Sequence, residues 1–208
     1  MRYSQNQEED VIQSWFGDFV GTFLDIGAND GKTLSNTYAL VERGWAGTYV
    51  EASPKAFERL SALIGVNPKF DLINCLAGSN DGDNILKESG ELLGTGDIAL
   101  VSSTKDSEVH RWDSLKIPFT PVDVKELKFE SILKITKHKT FELISVDIEG
   151  MEREVIPQIN FEKLGCRMAI IEWNLEHGEF YDETMLEHGM GVIHVNAENR
   201  IYVQIGGR

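Results

Sequence analysis

The first half of the chain alternates short apolar runs with segments whose apolar residues recur three and four positions apart. Short apolar runs predict buried strands, and the three-to-four spacing predicts amphipathic helices. Strands are predicted at 22–26, 47–51 and 70–77, and helices at 5–16, 32–43 and 54–65. Strands joined through helices run parallel in one sheet that is covered on both faces.

The second half repeats this alternation and then departs from it. The run ELISVDIEG (142–150) predicts a strand, a helix follows from about Met151, and RMAIIEWN (167–174) predicts the next strand. The end, GVIHVNAENRIYVQI, is typical of a hairpin that turns at 197–199. The predicted fold is therefore α/β, a doubly wound and mostly parallel sheet that ends in an antiparallel hairpin.

The segment 78–141 is less regular than its surroundings. It begins with the glycine-containing stretches GSNDGDN and GTGDIALVSS, followed by a strand-like run at 118–124 and a short helix at 130–134. Long irregular segments near the carboxyl ends of strands often cover a binding crevice, so we expect this one to shape substrate choice. No linker of proline or serine divides the chain, and we expect residues 1–208 to form a single domain.

Charge and composition narrow the classes of partner. The formal net charge is −14, with the acidic residues spread along the chain. Such a surface repels phosphate backbones, so we expect no nucleic-acid partner and no binding to anionic membranes by bulk charge. No apolar run is long enough to span a bilayer and the start lacks a secretory pattern, which favours a cytoplasmic protein. Cys75 and Cys166 fit two reduced, buried thiols.

The most informative stretch is FLDIGANDGKT, residues 23–33, where a strand enters a glycine turn. A dinucleotide-binding turn has the pattern G-x-G-x-x-G, which from Gly27 would place glycines where Asn29 and Lys32 stand. An acid at Asp25, with Gly27 and Gly31 allowing close approach of the backbone, suits a ligand that carries a positive amino group and hydroxyls. S-adenosylmethionine is such a ligand.

Glu51 ends the second predicted strand, 24 residues beyond Gly27. An acid at about this separation from a glycine turn can accept hydrogen bonds from both ribose hydroxyls. Either feature alone is weak evidence, because acids at strand ends and isolated glycine turns are common. Together, in this order of strands, they predict a nucleoside cofactor.

Several segments of the chain resemble one known family. These are YSQNQEEDVI, FLDIGANDGKT, YVEASP, ELISVDIEGMEREVI and IIEWN, and together they are similar to the FkbM family of S-adenosylmethionine-dependent methyltransferases. The resemblance implies a Rossmann-like class I methyltransferase that acts on oxygen. It also implies that the cofactor lies against Asp25, Gly27, Ala28, Asn29, Gly31, Glu51, Ala52, Leu76 and Ala77.

The resemblance further implies that Asp147 and Glu149 face the methyl group. In the family a histidine often follows the glutamate of the next strand, whereas here Trp173 and Asn174 follow Glu172. Trp173 is a candidate floor for the acceptor pocket or an ordinary packing residue. Gln5 and Asp10 match the family's opening motif and are candidates to fold over the cofactor, although their chemistry alone indicates only a polar helix start.

Methyl transfer to a hydroxyl needs a group that removes the hydroxyl proton. Asp147 and Glu149, at a strand end beside the expected cofactor, are the candidate bases. The same carboxylates are also candidate ligands of a divalent metal, with Glu172 and Asn174 completing an oxygen set. A third interpretation has Glu149 merely capping the helix that follows. The sequence leaves the need for a metal open.

The leading hypothesis is an S-adenosylmethionine-dependent methyltransferase that acts on a hydroxyl of a small molecule or sugar. Two alternatives remain at this level. One is a non-catalytic module that binds a nucleoside cofactor, and the other is an NAD(P)-dependent oxidoreductase, against which the missing G-x-G-x-x-G pattern counts.

Overall fold

The structure, a computed structural model, describes residues 2–206. Its helices are α1 Glu8–Phe16, α2 Tyr38–Glu42, α3 Pro54–Ile64, α4 Asp106–Arg111, α5 Phe129–Ile135, α6 Glu152–Val155 and α7 Gly178–Glu187. Its strands are β1 Thr22–Ile26, β2 Ala46–Glu51, β3 Phe70–Asn74, β4 Leu76–Gly78, β5 Gly82–Ser89, β6 Phe119–Lys128, β7 Leu143–Val146, β8 Met168–Glu172, β9 Met190–Val195 and β10 Asn199–Gln204. Two short 3₁₀ turns lie at Asp113–Leu115 and Ile156–Gln158.

Seven strands form the main sheet, in the order β3-β2-β1-β7-β8-β10-β9. The pairings from β3 through β8 are parallel, and β10 runs antiparallel to both β8 and β9. The prediction of a doubly wound, mostly parallel α/β sheet with a final antiparallel hairpin is confirmed. The hairpin turns one residue earlier than predicted, because Asn199 already pairs with Glu172 as the first residue of β10.

Both faces of the sheet are buried, which explains the nearly continuous apolar strands. In β1, Leu24 and Ile26 belong to the core on one face, while Phe23 packs with Tyr49 and Phe70 on the other. These side chains are almost completely shielded from solvent. Burial of each large apolar side chain contributes about 1.5–3 kcal/mol relative to exposure, so the two cores hold the strand ends in fixed positions.

A second, three-stranded sheet in the order β4-β6-β5 was not predicted. The expected single strand 70–77 is wrong, since the chain leaves the main sheet at Cys75. There the Cys75 N–H and the Asn74 side chain both donate to the carbonyl of Glu51, at 3.0 and 2.8 Å. The next residues form β4, which pairs with β6 from the irregular segment.

Two predicted helices are shorter than expected. The helix predicted at 32–43 begins only at Tyr38, because Asp30 accepts the N–H groups of Lys32 and Thr33 at 2.9 and 2.7 Å, in a local turn that competes with helix. The helix predicted from Met151 has one α-helical turn, α6, and continues as the 3₁₀ turn that contains Pro157, which has no N–H for a helical bond.

Two further sequence predictions concern thiols and membranes. Cys75 and Cys166 are free and buried, as predicted. Burial raises the pKa of Cys75 to about 12, which fits an unreactive thiol. Within residues 2–206, no helix has both the length and the apolar character needed to cross a bilayer.

Candidate functional site

A cavity of about 230 Å³ lies outside the carboxyl ends of β1, β2 and β7. Ligands of doubly wound sheets bind at this edge. The structure brings most of the predicted site residues together there. The cavity is lined by Asp25, Gly27, Ala28, Asn29, Glu51, Ala52, Leu76, Ala77, Asp147 and Glu149.

Gly27 sets the distance between the ends of β1 and β7. Its φ of +90° lies in the left-handed region, and a Cβ atom built on it would lie 1.5 Å from the carbonyl oxygen of Asp147. Gly31 also has a positive φ, but its missing Cβ would meet Leu60 of α3 at 2.5 Å. Gly31 is therefore placed against α3, outside the cavity lining, and allows the turn to pack.

Replacing Gly27 by Ala is expected to destabilise the protein far more than replacing Gly44 by Ala. Both glycines have φ near +90°, but a Cβ on Gly44 would meet nothing within 4 Å. Left-handed backbone alone costs about 1–2 kcal/mol in either variant. In G27A the new Cβ must also displace a backbone carbonyl, so its free energy of unfolding is expected to fall by roughly 2 kcal/mol more than that of the Gly44 variant. Urea denaturation of both variants measures the difference, and equal losses would contradict the close packing of β1 and β7.

Glu51 is held at the end of β2 by two backbone N–H groups. Asn29 donates to Oε2 at 2.7 Å and Ser53 donates to Oε1 at 2.6 Å. Burial raises the pKa of Glu51 to about 7, although these hydrogen bonds oppose the shift. Each carboxylate oxygen can accept a further hydrogen bond, so Glu51 keeps acceptor capacity for the hydroxyls of a ribose.

Asp25 lies at the end of β1 and is also buried. Its Oδ2 accepts a hydrogen bond from the Thr37 hydroxyl at 2.6 Å. Burial raises the pKa of Asp25 to about 7, the charge of Asp147 adds to the shift, and the Thr37 hydrogen bond opposes it. A positively charged ligand group beside Asp25 would relieve this cost, because an opposite charge favours the ionised carboxylate.

The irregular segment forms one wall of the cavity. Residues Leu86, Leu92, Ala99, Leu100, Val101, Ser102, Ser103, Thr104, Arg111 and Trp112 all line it. The loop between β5 and α4 is fastened to the glycine turn by Asn29, whose amide donates to the carbonyl of Ile98 at 3.0 Å. Leu76, Ala77 and Leu86 give this wall apolar surface suited to a flat base. That the segment shapes substrate choice remains a prediction.

Three carboxyl groups meet where β7 and β8 end. Asp147, Glu149 and Glu172 each offer an oxygen, and these oxygens all lie within 4.8 Å of one another. Burial raises the pKa of Asp147 to about 6. Burial, followed by the charges of the neighbouring acids, raises the pKa values of Glu149 and Glu172 well above the ordinary range. We call these three residues the carboxylate cluster.

Glu149 does not cap the helix that follows it. The N-terminal neighbour of α6 is Met151, which makes no side-chain cap, and Glu152 accepts the N–H groups of Ile148 and Gly150 at 2.8 and 3.0 Å. Glu152 therefore holds the turn that precedes α6, a role that sequence reasoning missed. Glu149 itself has a φ of +49°, and its carbonyl accepts the Ser103 hydroxyl at 2.7 Å.

A second cavity, of about 150 Å³, adjoins the first one. Arg111, Glu172 and Asn174 line both cavities and so form the boundary between them. Aromatic and polar side chains line the rest of the second cavity, among them Trp173 and Tyr181. Trp173 is fixed by its Nε1, which donates to the carbonyl of Asn196 at 2.9 Å.

Arg111 was not singled out from the sequence. It lies at the end of α4, forms an ion pair with Glu108, and its charge lowers the pKa of Glu149 against the stronger effects of burial and neighbouring acids. Nothing in the periodicity of an irregular segment marks such a residue, because its role depends on the tertiary contacts of α4.

The two residues of the opening motif, Gln5 and Asp10, lie in different parts of the structure. Gln5 lines the first cavity, whereas Asp10 lies on the exposed side of α1 and pairs with Arg2 at 2.8 Å. Between them Glu8 is completely buried and accepts hydrogen bonds from the side chains of Asn196 and Asn199, both at 2.8 Å. The start of the chain is therefore tied to the final hairpin, with Gln5 at the cavity.

Comparisons with known proteins agree with this architecture. The family model described as "Methyltransferase FkbM domain" matches residues 25–191. No curated protein matches the chain.

Several solved structures share the fold. Methyltransferase FkbM from Methylobacillus flagellatus KT aligns with a TM-score of 0.54 and 13% identity over 88% of this chain and 43% of that one. A putative methyltransferase from Escherichia coli aligns with a TM-score of 0.52 and 13% identity over 98% of this chain and 87% of that one. A precorrin 8w decarboxylase from Methanobacterium thermoautotrophicum aligns with a TM-score of 0.53 and 13% identity over 99% of this chain and 93% of that one. The chain thus spans less than half the length of the Methylobacillus protein.

Proposed function

Because the chain belongs to the FkbM methyltransferase family, and is thus an S-adenosylmethionine-dependent methyltransferase, we propose that it methylates a hydroxyl group of a small molecule, with sugars as the favoured class. The observation that carries this proposal is the carboxylate cluster, which lines the cavity suited to the cofactor and reaches the second cavity through Glu172. A buried acid in that position can take the proton of a hydroxyl that enters from the second cavity.

The residues of the first cavity fit the cofactor by their chemistry. Glu51 offers free acceptor positions for ribose hydroxyls, Asp25 offers a buried negative charge for the amino group, and Leu76 and Ala77 offer apolar surface for the base. The glycine turn lets the backbone approach closely at Gly27. When bound, S-adenosylmethionine supplies the methyl group, and the electrons of the broken carbon–sulfur bond remain on sulfur.

The protein's own work is to orient the acceptor and to remove one proton. The hydroxyl oxygen forms the new bond to the methyl carbon, and its proton passes to a carboxylate, for which we propose Asp147. Asp147 is suited because burial raises its pKa above that of an ordinary aspartate, which makes its carboxylate a stronger base. Glu172 forms a hydrogen bond with Asp147, which favours the ionised form of Asp147 against the effect of burial.

The second cavity favours a polar and uncharged acceptor. It combines the aromatic rings of Trp173 and Tyr181 with Asn174 and with charged side chains of both signs, so that no single charge dominates its wall; the charged residues are Lys105, Glu108, Arg111, Glu152, Arg153, Glu172 and Glu176. Sugars present both apolar faces and many hydroxyls, so this mixture suits them. The net charge of −14 and the carboxylate cluster both oppose an RNA or DNA acceptor.

An acceptor screen tests the proposal. The protein and S-adenosylmethionine are incubated with neutral mono- and disaccharides, nucleotide sugars, simple phenols and short RNA, and formation of S-adenosylhomocysteine is measured. We expect turnover with at least one sugar and none with RNA. Turnover that requires RNA, or that occurs at a nitrogen of the product as judged by mass spectrometry, would contradict the proposed acceptor class.

A further inference from the structure

The carboxylate cluster gathers three carboxyl groups whose oxygens lie within 4.8 Å of one another. Glu8 is completely buried and accepts hydrogen bonds from the side chains of Asn196 and Asn199, and Asn199 pairs with Glu172 of the cluster. Arg111 lines the same cavity as the cluster and is already paired with Glu108.

Within residues 2–206, two buried oxygens in this region have no hydrogen-bond donor. They are Oε2 of Glu172 and Oδ1 of Asn199. Glu172 and Asn199 are only 6% and 4% exposed, so neither oxygen is satisfied by bulk solvent. A buried acceptor without a partner costs free energy on the order of 1–3 kcal/mol, which points to a missing partner.

The two oxygens belong to one side of the sheet. Glu172 on β8 and Asn199 on β10 are directly paired residues in the antiparallel ladder, and side chains at paired positions project from the same face. The amide nitrogen of Asn199 donates to Glu8 at 2.8 Å, so its carbonyl oxygen is the atom that lacks a partner. The unpartnered amide oxygen is thus an observation separate from the acids of the cluster.

We propose that Asp147, Glu149 and Glu172 bind one divalent cation of the Mg²⁺ or Mn²⁺ class, each through one carboxylate oxygen, so that the other oxygen of Asp147 stays available for the acceptor proton. The carbonyl oxygen of Asn199 accepts a hydrogen bond from a water that the ion holds. Hard divalent cations take carboxylate and carbonyl oxygens as ligands, and here the protein offers oxygens only. Bound there, the ion satisfies the unpartnered acceptors and takes the place of the protons that these carboxyl groups otherwise share.

The part of this ion in the reaction rests on the proposed function, but its binding does not. If a hydroxyl is methylated beside the cluster, the cation stabilises the negative charge that develops on the acceptor oxygen as its proton leaves. Glu172 and Asn174 line both cavities, so the ion would lie at the boundary between them.

To test the binding, the cofactor-free protein is titrated with Mn²⁺ alone, and the concentration of the free ion is monitored by electron paramagnetic resonance. We expect one saturable site per chain, which excess Mg²⁺ displaces. E172Q is expected to weaken Mn²⁺ binding at least tenfold, and E149Q provides a second test if E172Q folds poorly. E126Q is the matched control, because Glu126 is equally buried and accepts backbone N–H groups in the second sheet, outside both cavities. It is expected to bind Mn²⁺ as the wild type does.

Absence of a saturable Mn²⁺ site in the wild type, or equal affinity in folded E172Q and E149Q, would overturn the inference and leave the cluster as carboxyl groups that share protons. The result is separable from the proposed function. Binding of S-adenosylhomocysteine with sugar methylation but no Mn²⁺ site would remove the cation and keep the enzyme. A Mn²⁺ site without methylation of any hydroxyl would support the cation and contradict the proposed function.

Discussion

Replacing Asp147 by Asn is expected to lower turnover by about 10²–10⁴-fold, the usual contribution of a general base. Asparagine has nearly the same shape as aspartate but cannot take a proton from the acceptor. The main-chain contacts of residue 147 with Gly27 and Ile26 do not depend on its side chain and are expected to persist. Initial rates of S-adenosylhomocysteine formation, with an acceptor identified in the screen, measure the loss.

Asp71→Asn is the matched control for D147N. Asp71 is also a buried aspartate on a strand, but it pairs with Lys137 and lines neither cavity. Asp71→Asn is expected to lower stability and to keep turnover within about twofold of the wild type. A fully active D147N enzyme would remove Asp147 from the catalytic residues, and an equal loss in both variants would point to a general loss of folding.

Replacing Glu51 by Ala is expected to weaken binding of S-adenosylhomocysteine by about 10- to 100-fold. Hydrogen bonds to a charged acceptor contribute about 1.5–3 kcal/mol, and the variant loses those to the ribose. It also frees the N–H groups of Asn29 and Ser53, so part of the effect comes from a less ordered glycine turn. Isothermal calorimetry gives the affinity, and thermal unfolding gives the loss of stability.

Glu126→Ala separates these two contributions. Glu126 also accepts two backbone N–H groups, from Ser79 and Asn80, but it lies away from the cofactor cavity. Both variants are therefore expected to lose stability, and only E51A is expected to lose cofactor affinity. Unchanged affinity in E51A would show that Glu51 does not hold the ribose.

The local pattern of apolar and polar residues was sufficient to predict the strands of the main sheet. The strand bounds 22–26 were predicted as observed, because a strand buried on both faces has a clear apolar signal. The turn after it was recognised from Gly27 and from the acids at Asp25 and Glu51. The structure gathers those residues at one cavity, and the family and the cofactor predicted from them are confirmed.

Features that depend on distant contacts were not predicted. Strand β4 pairs with β6, about fifty residues further along the chain, and three residues carry too little periodicity to reveal such a pairing. The same limit applies to Arg111, which reaches the carboxylate cluster only through the placement of α4. Glu152 was overlooked for another reason: in DIEGMERE every acid is a plausible cap, and only the backbone at Gly150 decides which one accepts the N–H groups.

The two alternatives to a methyltransferase differ in what they predict for the first cavity. A nicotinamide cofactor needs a turn whose backbone can approach a pyrophosphate, but Asn29 and Lys32 occupy the positions where that turn has glycine. A non-catalytic module needs no carboxylate cluster at the boundary with a second cavity. Membership of the methyltransferase family agrees with the geometry and disagrees with both alternatives.

The most direct test of the central claim is isothermal calorimetry of the wild-type protein with S-adenosylhomocysteine, beside a parallel titration with NADH. The site described here predicts saturable binding of one S-adenosylhomocysteine per chain and no binding of NADH. Binding of NADH alone, or of neither compound, would contradict the assignment of Asp25, Gly27 and Glu51 to an S-adenosylmethionine site.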